Sequence, residues 1–358
     1  MAAPGPAPVP RLPRASAVGP LALALAIGAG GGWVFNALTL PLPWMLGAMF
    51  AVTVAALSGA KVRVPSQLRS VLITVIGVLL GASFTPAVLS RAGEWVVTLV
   101  GLALCTLVMG LAGWVWFRRV ARYDPVTAYF ASAPGGLNEM ILIGGAMGGD
   151  DRTIALNGAV RVFLVVFTIP VWFRFHGALG GGAGRPYVGL ADVTPQDLAI
   201  LAACAVIGAL LGRRLRLPAA FMLGPMILSA AVHLTGVTGS SPPTLLVSMA
   251  QIVLGTTIGC RFGGVPLALV GRTIVHALAT GAIMIAIAIG CALVADRFID
   301  LPLAAVIIAY VPGGLPEMSM VALALGIDAA FVAFHHISRI LLVVTFAPLV
   351  FRLVGKRE

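Results

Sequence analysis

Charge is what this chain has least of. Only 10% of its 358 residues are Asp, Glu, Lys or Arg, where a soluble domain carries about a quarter, so water-soluble folds are excluded. Lysine is nearly absent, with Lys61 and Lys356 standing alone, and no Gly-rich phosphate loop ending in Lys exists, which removes nucleotide-driven transport. The four cysteines, Cys105, Cys204, Cys260 and Cys291, show no CxxC spacing. They read as small packing residues, not as a disulfide framework or a zinc site. The five histidines are scattered, and a helix splits the one adjacent pair, His335 and His336, onto different faces. No copper or iron centre, no other metal and no cofactor is therefore expected, and no enzyme activity is indicated. There is no room for a soluble DNA-binding domain. The net charge of +11 lies in short clusters between apolar runs, which is how membrane topology is written, so nucleic acid is not an expected partner.

What is present is apolar: 60% hydrophobic residues and a mean hydropathy of +1.06. The runs are continuous and rich in Leu, Ala, Val and Gly, which makes helices and not the alternating strands of a barrel. The expected fold is an all-α polytopic membrane protein with the lipid bilayer as its first partner. The Pro/Ala-rich start, with Arg11 and Arg14 before an apolar run, has the form of a signal peptide. That run is read as retained because it supplies the first span of a repeat.

The repeat is explicit. Pro134-Gly135-Gly136-Leu137-Asn138-Glu139-Met140 returns as Pro312-Gly313-Gly314-Leu315-Pro316-Glu317-Met318, and the same offset of 178 pairs Asp150 with Asp328, Arg161 with Arg339 and Pro170 with Pro348. Earlier in each half, Leu40-Pro41 followed by Met45-Leu46-Gly47-Ala48-Met49 matches Leu217-Pro218 followed by Met222-Leu223-Gly224-Pro225-Met226. The reading is a cytoplasmic tail over 1–15, a first membrane repeat over 16–175, a Gly-rich linker over 176–194, a second repeat over 195–352 and a tail over 353–358.

Each half shows six hydrophobic segments, which taken plainly is 12 parallel-repeat spans. The charges read differently. In the first half the basic loops hold Lys61, Arg63 and Arg69 and then Arg118, Arg119 and Arg122; in the second half the corresponding first loop holds Arg213, Arg214 and Arg216, and the third holds Arg261 and Arg272. Corresponding loops prefer opposite sides, as inverted repeats do, and inversion needs an odd number of crossings per half. The segment that fails to cross is the fifth, about 125–148 and 301–326, because Pro-Gly-Gly breaks each at its centre. The prediction is two inverted repeats of about five crossings each plus a broken or re-entrant helix, 10 to 12 membrane segments in all. Both termini are then cytoplasmic, the membrane is a bacterial inner membrane and residues 180–184 are periplasmic.

The paired PGGLxEM motifs, the Arg downstream of each and the MLGxM segments resemble the AbrB-type duplicated membrane protein family of bacteria, also labelled ammonia monooxygenase. The resemblance covers nearly the whole chain and both copies. It implies either a regulator of gene expression or, by fold, kinship with inverted-repeat ion transporters. The copies are not equal, since Asn138 faces Pro316 and Asn157 faces His335.

Ionisable groups at membrane depth cost about 2.5–3.5 kcal/mol each, so such groups mark function by default. Glu139, Glu317, Arg161 and Arg339 are the four. Breaks at Pro134-Gly135-Gly136 and Pro312-Gly313-Gly314 free backbone groups and aim a half-helix N-terminus at the interior, a natural anion site, with glycines permitting close approach. Asn157 and Arg161, and His335 and Arg339, lie four residues apart and share a helix face expected to line the polar centre, with His336 pointing elsewhere. Two plainer readings stay open. Pro316 followed by Glu317 is also what an ordinary helix start prefers, and Arg161 with Glu139 and Arg339 with Glu317 also make structural ion pairs. The expected function is secondary transport of a small, anionic, organic or amino-acid-like solute, with protons or Na⁺ coupled through Glu139 and Glu317. The alternative is a membrane-embedded regulator without transport. A homodimer is compatible with either.

Overall fold

The computed structural model describes residues 18–90, 92–175, 187–264 and 267–354. The expected N-terminal tail, the core of the linker and the last four residues lie outside them. All regular structure among the described residues is helical. The first half runs α1 (Val18–Ala37), α2 (Pro43–Leu57), α3 (Ser66–Gly81), the short α4 (Pro86–Ser90), α5 (Trp95–Arg119), α6 (Pro125–Ser132), α7 (Leu137–Ala146) and α8 (Asp151–Phe175). The second runs α9 (Pro195–Arg214), α10 (Ala220–Leu234), α11 (Thr244–Gly259), α12 (Leu267–Ala295), α13 (Leu303–Tyr310), α14 (Leu315–Ala324) and α15 (Ala329–Val354). Among the described residues, seven helical stretches are long and apolar enough to cross a bilayer, so this is a polytopic membrane protein. Helices α2, α3 and α10 have 15, 16 and 15 residues, about 24 Å or less at 1.5 Å per residue, and are shorter than the 20-residue spans expected. Arg272, expected in a loop, falls within α12, and α15 continues two residues past the expected end of the second repeat.

The helices sort into two bundles, and each takes elements from both halves. In the first, α1 packs on α2, α9 on α10, α2 on α11 and α3 on α10. In the second, α5 and α8 pack on α12, while the broken pairs α6–α7 and α13–α14 pack against α8 and α15. The bundles meet where α3 touches α14 and α15 and where α2 touches α8.

Small residues hold the first bundle together. Lipid is as apolar as Leu, so helices in a bilayer associate by close packing and not by the hydrophobic effect. A Cβ on Gly47 would strike the Gly31 carbonyl of α1, and one on Gly224 would strike the Gly208 carbonyl of α9. Across the halves, Gly255 of α11 packs on the Met45 carbonyl and Gly77 of α3 on the Met222 carbonyl. The entry turns match as well: Thr39 and Arg216 both stand at φ 53°, and Leu42 and Ala219 at φ 47°, left-handed backbone that residues other than Gly seldom adopt. Gly47→Val and Gly224→Val are each expected to cost about 1–3 kcal/mol through overpacking, read as a lower melting temperature in detergent. Melting at the wild-type temperature would show that these crossings yield.

The fifth segment of each half is broken as its sequence dictates. Helix α6 ends with Ala133 extended before Pro134, and α13 with Val311 extended before Pro312, because the residue before proline avoids helical dihedrals. The restarts differ. Gly136 precedes α7 in the left-handed region at φ 59°, whereas Gly314 precedes α14 at φ −75° and ψ 149°.

Candidate functional site

Both breaks line one cavity of about 210 Å³ between the two bundles. From the second bundle come Gly135 to Glu139, Pro312 to Glu317 and Arg161 of α8; from the first come Arg69 and Ile73 of α3, the start of α10, and Ile258 and Arg261 at the end of α11. Two half-helix N-termini, each carrying a partial positive charge, therefore reach the same space.

Glu139 and Glu317 are the third residues of α7 and α14. Each carboxylate turns back on the start of its own helix: a Cβ on Gly314 would collide with Oε2 of Glu317, and one on Gly136 would lie 3.3 Å from Oε2 of Glu139. Glu317 also accepts from its own backbone amide. Its burial is 93% complete (7% exposed), while Glu139 is half-buried and Asn138 exposed. The local geometry thus has the form of an ordinary acid at a helix start, placed in a cavity.

The arginines do not pair with these acids. Arg339, 1% exposed, donates from Nη1 to the carbonyls of Tyr310 at 3.1 Å and Val311 at 2.9 Å, and from Nη2 to that of Gly313 at 3.1 Å. Those carbonyls lie at the C-terminal end of α13 and in the break after it, that of Val311 also accepting from the Gly313 amide at 2.9 Å, where a cation also offsets the dipole. Arg161 occupies the equivalent place in the first half but holds it loosely. Its hydrogen bond goes from Nη1 to the Ala131 carbonyl at 3.3 Å, and its Nε has no partner although the residue is 6% exposed. Arg161 lines the cavity and Arg339 does not. The two guanidiniums lie close enough to repel, and the ion pairs left open by the sequence are absent among the described residues.

The shared face expected for His335 and Arg339 is corrected. Arg339 donates at 2.7 Å to Nδ1 of His336, whose Nε2 donates at 3.0 Å to the Ile308 carbonyl. His335 turns to Thr98 of α5 at 2.8 Å and stacks near Phe331 and Trp95, away from the cavity. Asn157 is also outside it, donating to the Thr153 carbonyl at 2.8 Å and reaching the Tyr123 hydroxyl at 3.5 Å. Asp328 and Asp150 cap the starts of α15 and α8.

Arg69 and Arg261 belong to the site and were read from sequence only as topology charges. They are the charged neighbours of Glu317 and lie within electrostatic reach of each other. Periodicity carries no signal for them, since their convergence depends on the start of α3 meeting the end of α11. Among the described residues no group of three or more His, Cys, Asp or Glu gathers as a metal site would require.

Residues 44–355 match the family described as "Transition state regulatory protein AbrB". The chain is 28% identical over 355 residues to "Uncharacterized protein YhjN" of Bacillus subtilis (strain 168), with 92% of each chain covered. It is 25% identical over 339 residues to "Putative regulator AbrB" of Escherichia coli (strain K12), with 94% of each covered. The match takes in both broken helices and every arginine of the cavity, and with this extent the chain belongs to the AbrB family.

Proposed function

We propose that this chain is a secondary transporter of a small anionic solute in a bacterial inner membrane, with both termini cytoplasmic and with protons or Na⁺ coupled through Glu139 and Glu317. The observation that carries this reading is the position of the cavity: it lies between two bundles and is lined by both breaks and by Arg161, which is buried and only partly bonded. Transport at a midplane site needs broken helices whose ends meet the solute, and two bodies that can move about it. The inverted arrangement has its own support. Helices α3 and α11 correspond in the repeat, yet the start of one and the end of the other line the same cavity, so they run in opposite directions. Rocking one bundle against the other would then open the site to each side in turn.

A regulator without transport is the second reading, favoured by the name of the Escherichia coli relative. Flux separates the two. Purified protein in liposomes is expected to move at least one small organic anion, and Glu139→Gln and Glu317→Gln to remain folded while losing coupled accumulation, because Gln keeps shape and hydrogen bonding without the titrating charge. A wild-type protein that moves no anion yet changes gene expression in cells would give the regulator reading precedence.

A further inference from the structure

We propose that Glu317 is the anion the protein supplies to its own site, and that a dianionic solute displaces it from Arg69 and Arg261, so that each solute bound brings one proton onto Glu317. The inference rests on the transporter reading and names its substrate class and its coupling.

The charged groups around α14 divide into those already committed and those free to bind. Helix α15 packs on it with Arg339 and the two histidines, but Arg339 is taken by three carbonyls and His336, and His335 by Thr98 and the Phe331 carbonyl. Helix α13 contributes Tyr310, whose hydroxyl donates to the Thr98 carbonyl. Helices α3 and α8 contribute Arg69 and Arg161, and Arg261 comes from the turn after α11. Arg69, Arg161 and Arg261 line the cavity together with Glu139 and Glu317. Arg161 adds the sign of a missing ligand: it is buried and lines the space with one long hydrogen bond of 3.3 Å where Arg339 makes four, and its Nε, like that of Arg339, has no partner.

Glu317 already occupies the place an anion would take. Its carboxylate lies on the first turn of α14, against Gly314, in the field of Arg69 and Arg261. Arg69 and Arg261 are the groups that favour the charged form of Glu317 against the cost of burial, so a solute carboxylate that bonds both tips the carboxyl toward its protonated form. Charge counting gives the same answer. Three arginines and two ionised acids leave one positive charge in the cavity, and protonating Glu317 leaves two, which a dianion neutralises. The proton comes from water and returns to it when the solute leaves and the arginines fall back on the carboxylate, so solute and proton travel together. Glu139, half-buried on the other half-helix, is not displaced in this step.

The test uses the purified full chain with succinate and sulfate, two dianions that do not titrate at neutral or mildly alkaline pH, and acetate as the monoanion. At least one dianion is expected to raise the melting temperature and to take up close to one proton per molecule, seen calorimetrically in buffers of different ionisation enthalpy. Its Kd should weaken about tenfold per unit rise in pH. Glu317→Gln should abolish uptake and flatten the pH dependence, while Glu317→Asp, which keeps a titrating group, should retain both. Arg261→Gln should weaken binding by about 10- to 100-fold, the loss of one or two charge-assisted bonds. Dianion binding without proton uptake, or uptake that survives Glu317→Gln, overturns the coupling and leaves the transporter reading standing. Silence from both dianions, or acetate binding as tightly as they do, overturns the dianion class. Binding with proton uptake but no flux in liposomes would leave the site as inferred and overturn transport.

Discussion

Arg339→Ala is expected to lower the stability of this protein by about 3–5 kcal/mol, the cost typical of breaking a buried charge network. The side chain satisfies three carbonyls at the end of α13 and fixes His336 as an acceptor at Nδ1. Its removal leaves the Tyr310 and Gly313 carbonyls without this donor, the Val311 carbonyl keeping the Gly313 amide, and a buried acceptor left unpaired is costly. Arg339→Lys is expected to do little better, because a point charge on a flexible stem does not span three acceptors as a planar fork does. Thermal unfolding in detergent, with protease protection of the 303–324 segment as a local readout, checks this. A melting temperature within about 1 °C of wild type, a shift that corresponds to about 1 kcal/mol or less in a chain of this size, would mean that the carbonyls find other donors and that Arg339 is not the clasp of the second break.

Arg161→Gln is expected to show the opposite profile. Arg161 makes one hydrogen bond, a long one to Ala131, where Arg339 makes four, so the substitution should change stability by about 1 kcal/mol or less, the worth of one ordinary bond. It should also relieve repulsion from Arg339. Anion binding is where the loss should appear, by about 100-fold, which is what one or two charge-assisted bonds contribute. The pair of variants is informative because sequence treats the two arginines as equivalents. Equal effects of both substitutions on stability and on binding would refute the division of labour between a structural arginine and a binding one.

Most of the fold could be read in the sequence because its determinants are local. Continuous apolar runs without charge have to be helices in lipid, and Pro134 and Pro312 have to end them one residue earlier. The small residues in the MLG segments were legible as a repeat, and Gly47 and Gly224 proved to be where α1 meets α2 and α9 meets α10. The site was harder to read for three physical reasons. Pairing acids with arginines weighs charge alone, whereas the stronger demand on Arg339 came from backbone carbonyls at a helix end, which no side-chain pattern displays. A face shared at i, i+4 is also shared at i, i+3, so His336 competed with His335 for Arg339 and prevailed. Arg69 and Arg261 flank apolar runs and so carry the mark of topology. That they meet beside Glu317 follows only from the way α3 and α11 are packed.

The interleaving of the halves governs the order in which the chain can be assembled as it is synthesised. When α3 has emerged, α2 and α3 both present small-residue faces whose partners, α11 and α10, lie beyond residue 219. The first bundle cannot close before the end of α11 at Gly259, nor the second before α15. Until then roughly two thirds of the polypeptide waits in the bilayer with unmatched ridges on α2 and α3, held by contacts within each half such as that of α1 on α2. An isolated half has the same unmet needs, and a second identical half inserted upside down beside it would meet them, with its α3-equivalent taking the place of α11. Expressing the two halves as separate chains should therefore reconstitute the protein only when both are present together.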